Sequence, residues 1–190
     1  MPETKLEVSA FPTFRNIVAK SLRIDPEKVT MDASLTDLGA ESLDLVDITM
    51  DTEEAFHVWL PEKSILDSAR EIFGKEAIER DGRITELGKR ILTDRMPGRA
   101  DLFQGEITVA ELQQSFMQVS SWVALIERLA RDCPSRCEAC GGEWESAGGF
   151  RLKCSSCGKA FEVRSGEDLN REWLQQYQNA VVPRSATQSV

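Results

Sequence analysis

The spacing of the cysteines restricts the fold of this chain more than any other feature of its sequence. Four of them form two Cys-x2-Cys pairs, Cys137 with Cys140 and Cys154 with Cys157, and 13 residues separate the pairs. Each pair places two thiolates on one tight turn, and a hairpin between the turns completes a tetrahedral set of four ligands. The pattern predicts a closed structural metal site. Zn²⁺ is the expected ion, and iron is the alternative that four thiolates leave open.

The distribution of all five cysteines indicates a reducing compartment. They lie within 25 residues of one another, and the first 132 residues contain none. A disulfide scaffold spreads its cysteines and usually comes with a secretion signal. No basic region followed by an apolar stretch opens the chain, so we expect no signal peptide and a cytoplasmic location. Cys133 has no assigned role, because Pro134 and its longer spacing to Cys137 disfavour it as a ligand.

The two-pair pattern resembles that of the zinc-ribbon family. The resemblance implies a small β ribbon over residues 133–165, with Trp144, Phe150 and Phe161 as its core rather than as an exposed docking patch. This segment carries five Lys or Arg and four Asp or Glu residues. Because most DNA-binding zinc modules are basic, the near-neutral balance argues against a nucleic-acid finger.

The charge of the whole chain also argues against nucleic-acid binding. The formal net charge is −9, which disfavours nucleic acid and suits basic partners. No apolar run approaches the roughly 20 residues that a membrane-spanning helix needs, so no membrane span is expected. The length of 190 residues fits one soluble domain, or a small domain with appendages.

The apolar periodicity of the N-terminal third predicts two helices. Apolar residues recur at helical spacing from Thr13, and Asp25-Pro26 ends this first helix. The second helix is expected from Ser42 to Phe56. Its predicted core-facing residues are Leu43, Val46, Met50 and Phe56. From Val29 to Glu62 the chain has nine acidic residues and no Lys or Arg, so this helix should carry a solvated face of a single charge.

Further helices follow with clear end signals. We expect one over residues 64–73 that begins at Ser64, a shorter one over 84–96, and a long core-facing one over 109–130. The long helix is preceded by the capping box Thr108-x-x-Glu111. A last short helix begins near 167, and the tail after it should be disordered.

Ser42 lies at the junction between a turn and the acidic helix. A hydroxyl at such a junction commonly caps the helix by accepting a bond from an orphan backbone N–H. A catalytic serine is disfavoured, because the motif is not G-x-S-x-G and the sole histidine, His57, lies elsewhere. The alternative to capping is a serine exposed for covalent modification.

The stretch LGAESLDLVDITMDTEEAFHVWLPE, residues 38–62, resembles the acyl carrier protein family. The likeness runs through an L-G-A-(D/E)-S-L core, V-(D/E)-x-x-M, E-E-x-F and x-(I/L)-P-(D/E), without a gap. In that family the serine of the motif receives 4′-phosphopantetheine, and the matching residue here is Ser42. The likeness covers about residues 10–62 firmly and 107–130 loosely. It departs at Glu41, where the family usually has Asp, and at Asp51 and Thr52, where the family is often apolar.

The resemblance implies a carrier and not an enzyme. A phosphopantetheinyl transferase would modify Ser42, and acyl-loading, condensing or acyl-transfer enzymes of fatty-acid, lipid or polyketide-like synthesis would use the product. The acidic helix would dock these partners. The expected docking residues are Glu41, Asp44, Asp47, Asp51 and Glu54.

The expected fold is mainly α, with an acyl-carrier-like helical bundle, a helical insertion and a small β zinc ribbon. Residues 1–132 should form the carrier, with the insertion at about 63–106. The ribbon should span 133–165, and a short helix and tail should span 166–190. The chain should be a monomer. A rival interpretation is a non-acylated, carrier-shaped interaction protein whose ribbon recruits a partner. A nucleic-acid-linked regulator is the third, which the acidic total disfavours.

Overall fold

The computed structural model describes residues 9–181, except for the side chains of residues 97, 98, 101 and 181. Within this range the chain forms eight α-helices and two small sheets, so the mainly α prediction is confirmed. The residues group into two compact units. The first unit runs to Leu60 and resumes from Gln113 to Arg164, and the second comprises Pro61–Leu112 and the chain from Ser165. The predicted disordered tail lies outside the described residues.

The first unit begins with the two predicted helices. Helix α1 spans Phe11–Leu22 and begins before Thr13, because Pro12 fits the first turn of a helix. A 3-10 turn follows at Pro26–Lys28. Helix α2 spans Ser42–Phe56, as predicted, and packs against α1.

The core of the first unit lies between α1, α2 and helix α7, which spans Val119–Ala130. The rings of Phe14 and Trp122 stack with centroids 5.6 Å apart. Aliphatic side chains from the three helices and from the loop before α2 complete it, and burial of such side chains is the main stabilising contribution to the fold. The buried members are Ala10, Phe14, Ile17, Val18, Ala19, Val29, Leu35, Ile48, Val119, Val123 and Ile126.

The predicted orientation of α2 is wrong for three of its four residues. Leu43, Val46 and Met50 are 80%, 54% and 62% exposed, whereas Ile48 and Thr52 are fully buried. Phe56 does pack against the core, as predicted. Positions 48, 52 and 56 follow one another at a spacing of four, which places them on one face of a helix. Contact with α1 selects this face, and the other apolar face stays in solvent.

The predicted long helix over 109–130 is interrupted. Helix α6 spans Val109–Phe116 and helix α7 spans Val119–Ala130. Between them the backbone pairs with the loop before α2: Leu35 N–H donates to the Met117 carbonyl and Val119 N–H to the Ala33 carbonyl, each at 2.9 Å. These bonds replace bonds within a helix, so the helix breaks although the apolar periodicity continues.

The ribbon segment forms three strands, β3 (Trp144–Ser146), β4 (Arg151–Cys154) and β5 (Ala160–Glu162). They pair in this order in one antiparallel sheet. The rings of Trp144 and Phe161 lie 5.7 Å apart and form part of its small core, as expected. The ribbon groups with the carrier helices in the first unit.

The second unit has a core of its own. Helices α3 (Ile65–Phe73), α4 (Lys75–Ile78) and α5 (Glu86–Arg95) surround a short hairpin of β1 (Glu79–Arg80) and β2 (Arg83–Ile84). A 3-10 segment, Pro97–Phe103, precedes α6. Ser64 caps α3 by accepting from Asp67 N–H at 3.2 Å. Helix α8, Gly166–Val181, is longer than predicted and packs on α3.

None of the helices between residues 9 and 181 combines the length and apolar character needed to cross a bilayer.

Candidate functional site

Ser42 is the first residue of α2, but it does not cap the helix. Gly39, at φ +94°, turns the chain before the helix. Glu41 has extended backbone and occupies the N-cap position, and its N–H donates to the Asp44 carboxylate at 2.9 Å. This is the reciprocal arrangement of a capping box, moved one residue ahead of the serine. The cap therefore needs no contribution from the Ser42 hydroxyl.

The Ser42 side chain is exposed. Within residues 9–181 its hydroxyl has no hydrogen-bond partner. The first backbone N–H groups of a helix carry partial positive charge, which stabilises an anion attached or bound there. An exposed primary hydroxyl at this position can accept a phosphate-linked group without disturbing the core.

An exposed apolar stripe begins directly after Ser42. It consists of Leu43, Val46 and Met50, which lie on one face of α2 at helical spacing. Sequence reasoning placed these residues in the core and so missed the stripe. The sequence does contain a sign of this stripe, because residues 48, 52 and 56 form a second face of α2 that can point to the core. A helix with two such faces can bury only one of them against a single neighbour.

The five predicted docking carboxylates differ in availability. Glu41, Asp47 and Glu54 are exposed, while Asp44 and Asp51 are half-buried. Asp44 accepts the capping bond, and Asp51 forms an ion pair with Lys20 Nζ at 3.0 Å. The Glu41 carboxylate accepts from the Asp44 N–H in the capping box, so the freely presented negative charge is on Asp47 and Glu54.

Glu53, another acidic residue of α2, is half-buried. Its Oε1 accepts from Leu60 N–H at 2.9 Å. Burial raises the pKa of Glu53, and the bond from Leu60 partly offsets this effect. This side chain fastens the segment after α2 and is not presented to a partner.

Asp51 and Thr52, the two departures inside α2, have different surroundings. Asp51 reaches solvent and Lys20. Thr52 is fully buried, and its Oγ1 has no partner within the described part of the chain. The chain therefore keeps a hydroxyl in the interior, where the family resemblance leads one to expect an apolar side chain.

The four predicted metal ligands are brought together in the ribbon. Their Sγ atoms all lie within 4.8 Å of one another, with Cys137 to Cys157 at 3.6 Å and Cys140 to Cys154 at 3.4 Å. A tetrahedral Zn²⁺ with Zn–S bonds of 2.3 Å needs sulfur separations of about 3.8 Å. The donor set therefore fits a tetrahedral thiolate-binding metal. Cys133 is not part of this cluster.

Glycines shape both turns of the four-cysteine cluster. Gly141 and Gly158 have φ of +72° and +74°, and their N–H groups donate to the Cys137 and Cys154 carbonyls at 2.7 and 2.9 Å. A Cβ on Gly142 would lie 2.8 Å from the Cys154 Sγ, so only glycine fits there. A bond from the Cys157 N–H lowers the pKa of Cys154 to about 6, whereas the neighbouring thiols outweigh a bond from the Gly142 N–H and raise the pKa of Cys140 to about 12.

Comparisons with known proteins give one family model and several related proteins. The family model for the phosphopantetheine attachment site matches residues 12–72. The acyl carrier protein of Campylobacter curvus is 41% identical over 56 residues, which cover 29% of this chain and 73% of that protein. For the acyl carrier protein of Bdellovibrio bacteriovorus the identity is 42% over 53 residues, 27% and 68% of the two chains.

The acyl carrier protein of Guillardia theta gives a longer match, 39% identical over 67 residues, or 35% of this chain and 78% of that protein. No solved structure matches the chain significantly. The residues that the family model matches include Ser42 and α2.

Proposed function

Because the chain belongs to the acyl carrier protein family, we propose that it carries acyl groups as thioesters on a 4′-phosphopantetheine arm attached to Ser42. The observation that supports this most strongly is the exposed Ser42 hydroxyl, which the capping box of Glu41 and Asp44 leaves unused. The protein itself is proposed to be a carrier without catalytic activity. Its partners would perform the chemistry.

The attachment reaction uses the Ser42 oxygen as the acceptor. A phosphopantetheinyl transferase would take the group from coenzyme A: Ser42 Oγ forms the new P–O bond, its proton passes to a base of the transferase, and the nucleotide half of coenzyme A leaves. The first turn of α2 stabilises the resulting phosphodiester through its N–H groups. Once attached, the arm supplies a terminal thiol that holds an acyl group as a thioester.

Thioester loading tests the function directly. Protein modified with an acylated coenzyme A should release its acyl group in neutral hydroxylamine, which cleaves thioesters, and Ser42→Ala should carry no acyl group at all. Ser135→Ala removes another exposed hydroxyl and should load like the parent. An acyl group that resists hydroxylamine, or that stays on Ser42→Ala, would argue against a carrier of this kind.

We further propose that α2 is the docking surface for these enzymes. The apolar stripe would supply the contact area, and the carboxylates around it would attract Lys or Arg patches. Such charge complementarity gives rapid encounter and weak, reversible binding. Asp47 and Glu54 would contribute most, because Glu41, Asp44 and Asp51 already have partners within the chain.

Reversal of the exposed charges should slow loading. Asp47→Lys with Glu54→Lys is expected to reduce the rate of modification by a transferase about tenfold or more at low salt, with helix content unchanged. The difference should shrink at high salt, because salt screens exposed charges. Glu138→Lys with Glu145→Lys changes the net charge equally from the ribbon, where both residues are exposed, and serves as the control. Equal, salt-independent rates in all three proteins would show that α2 is only a solvated surface.

The four ribbon cysteines are proposed to hold Zn²⁺ in a structural role. Cys137, Cys140, Cys154 and Cys157 fill all four positions of a tetrahedral ion, so no position stays open for a substrate. Metal analysis of the purified protein distinguishes zinc from iron, the alternative that four thiolates permit.

The pathway is proposed at the level of class. The carrier would serve fatty-acid, lipid or polyketide-like synthesis as a cytoplasmic monomer with no role in nucleic-acid binding. Functionally, residues 1–132 would act as the carrier with its insertion, 133–165 as the metal ribbon and 166–190 as an accessory helix and tail.

A further inference from the structure

One aromatic contact joins the ribbon to the chain that follows α2. The rings of Trp59 and Phe150 stack face to face, with centroids 4.0 Å apart and planes inclined by 2°. Both side chains are half-buried, and both belong to the first unit. They are separated by 91 positions in the sequence, so this contact links two parts of the unit that fold from distant segments.

On the ribbon side, the sheet holds Phe150 in place. Phe150 follows Gly148 and Gly149, whose φ values of +90° and +57° form the turn between β3 and β4. Its carbonyl accepts from Val163 N–H at 2.8 Å. Strand β4 begins at the next residue and ends at Cys154, one of the four ligands. The position of Phe150 therefore depends on a sheet of three- and four-residue strands, which is too small to fold without a metal or disulfide.

On the carrier side, Trp59 lies in a short segment fastened to the last turns of α2. His57 ends the helix in the left-handed conformation. Val58 N–H bonds to the Glu53 carbonyl at 3.3 Å, and Leu60 N–H bonds to the Glu53 carboxylate at 2.9 Å. Because of these bonds, movement of the Trp59 ring is expected to disturb the C-terminal end of α2.

We propose that the metal-loaded ribbon clamps the C-terminal end of α2 through the Trp59–Phe150 stack. Loss of the metal would release Trp59 and loosen residues 57–60 and the last turn of α2, while the Ser42 end stays formed. The metal state would thereby set the shape of the docking helix at the end remote from the modified serine. This inference rests on the proposed metal site and is independent of the modification of Ser42.

Fluorine NMR on the full chain tests the clamp. Labelling with 5-fluorotryptophan gives four resonances, one for each Trp, and Trp59→Phe assigns the relevant one. Chelation of zinc-loaded protein should move the Trp59 resonance, and zinc-loaded Phe150→Ala should move it in the same direction. The Trp122 resonance, from the core stack with Phe14, should stay in place. Lys159→Ala, an exposed ribbon side chain, is the control that should leave Trp59 unaffected.

Hydrogen exchange gives a second measurement. In zinc-loaded Phe150→Ala, exchange at the Leu60 amide should be about 2- to 10-fold faster than in the parent, the effect expected from losing one stacked pair. Chelation should produce at least this change. Amides at the start of α2 should exchange as in the parent.

The possible results distinguish between the clamp, the metal site and the carrier function. A Trp59 resonance that is identical in zinc-loaded parent, chelated parent and zinc-loaded Phe150→Ala would overturn the clamp. A shift in Phe150→Ala without a shift on chelation would show a stack that does not depend on metal, which also overturns it. If Phe150→Ala loses its zinc by metal analysis, zinc-loaded Phe150→Leu takes its place, since it removes the ring and keeps an apolar side chain. A parent protein that binds no metal would overturn the metal site and the clamp together, and would leave the carrier function standing.

Discussion

Replacing Cys154 with serine is expected to unfold the ribbon and to leave the carrier helices folded. Cys154 is buried among the four thiols, and a hydroxyl is a poor replacement for a thiolate ligand. Structural Zn²⁺ supplies about 10–16 kcal/mol of folding free energy in zinc-finger peptides. The ribbon buries few apolar side chains, so it has little to replace that contribution. The core cluster of the carrier, from Ala10 to Ile126, contains no described ribbon side chain.

Metal content and hydrogen exchange together measure this effect. Cys154→Ser should lose the metal and the protection of residues near 137–163, and chelation of the parent should reproduce the result. Cys133→Ser is the matched control, because Cys133 lies outside the four-thiol cluster, and it should keep the metal. Helices α1, α2 and α7 should keep their protection apart from the last turn of α2. If protection collapsed throughout α1 and α2, the ribbon would be an integral part of the carrier core.

Local sequence signals predicted several elements correctly. Helix α2 spans its predicted bounds, since a glycine turn precedes it and its chain of helix-forming residues ends near His57. Ser64 caps α3 as expected. The two cysteine pairs lie on tight turns, as predicted, and a glycine with positive φ follows each pair. In each case residues close in sequence determine the structure, so one sequence is enough to predict it.

The wrong predictions concern features that depend on contacts between segments distant in the sequence. The rotation of α2 depends on which of its two apolar faces meets α1, and the periodicity of α2 alone allows both. The break between α6 and α7 depends on backbone bonds from Ala33 and Leu35 to residues 117 and 119. Apolar spacing carries no information about such bonds, so a continuous helix was the natural prediction.

Two arrangements had no sequence signal at all. The inserted segment packs with α8, which lies beyond the ribbon in the sequence, to form the second unit. Trp59 and Phe150 also meet across a long stretch of chain. Phe150 was expected in the core of its own ribbon, and only the folded chain shows its contact with Trp59.

The largest effect on function is expected from the loss of a single oxygen atom. Ser42→Ala removes the hydroxyl proposed to accept the arm and should therefore abolish modification completely. The free energy of unfolding of this variant should stay within about 0.5 kcal/mol of the parent, because the exposed residue has no role in the cap or the core. A variant that is folded and wholly unmodified would separate function from structure at this position.

The intact mass of the protein tests the central claim most directly. After incubation with coenzyme A and a broad-specificity phosphopantetheinyl transferase, the parent should gain the mass of one phosphopantetheine and Ser42→Ala should gain none. The Ser135→Ala control should gain the same mass as the parent. A parent that gains no mass, or a gain that persists in Ser42→Ala, would contradict the account and favour a carrier-shaped interaction protein that never bears the arm.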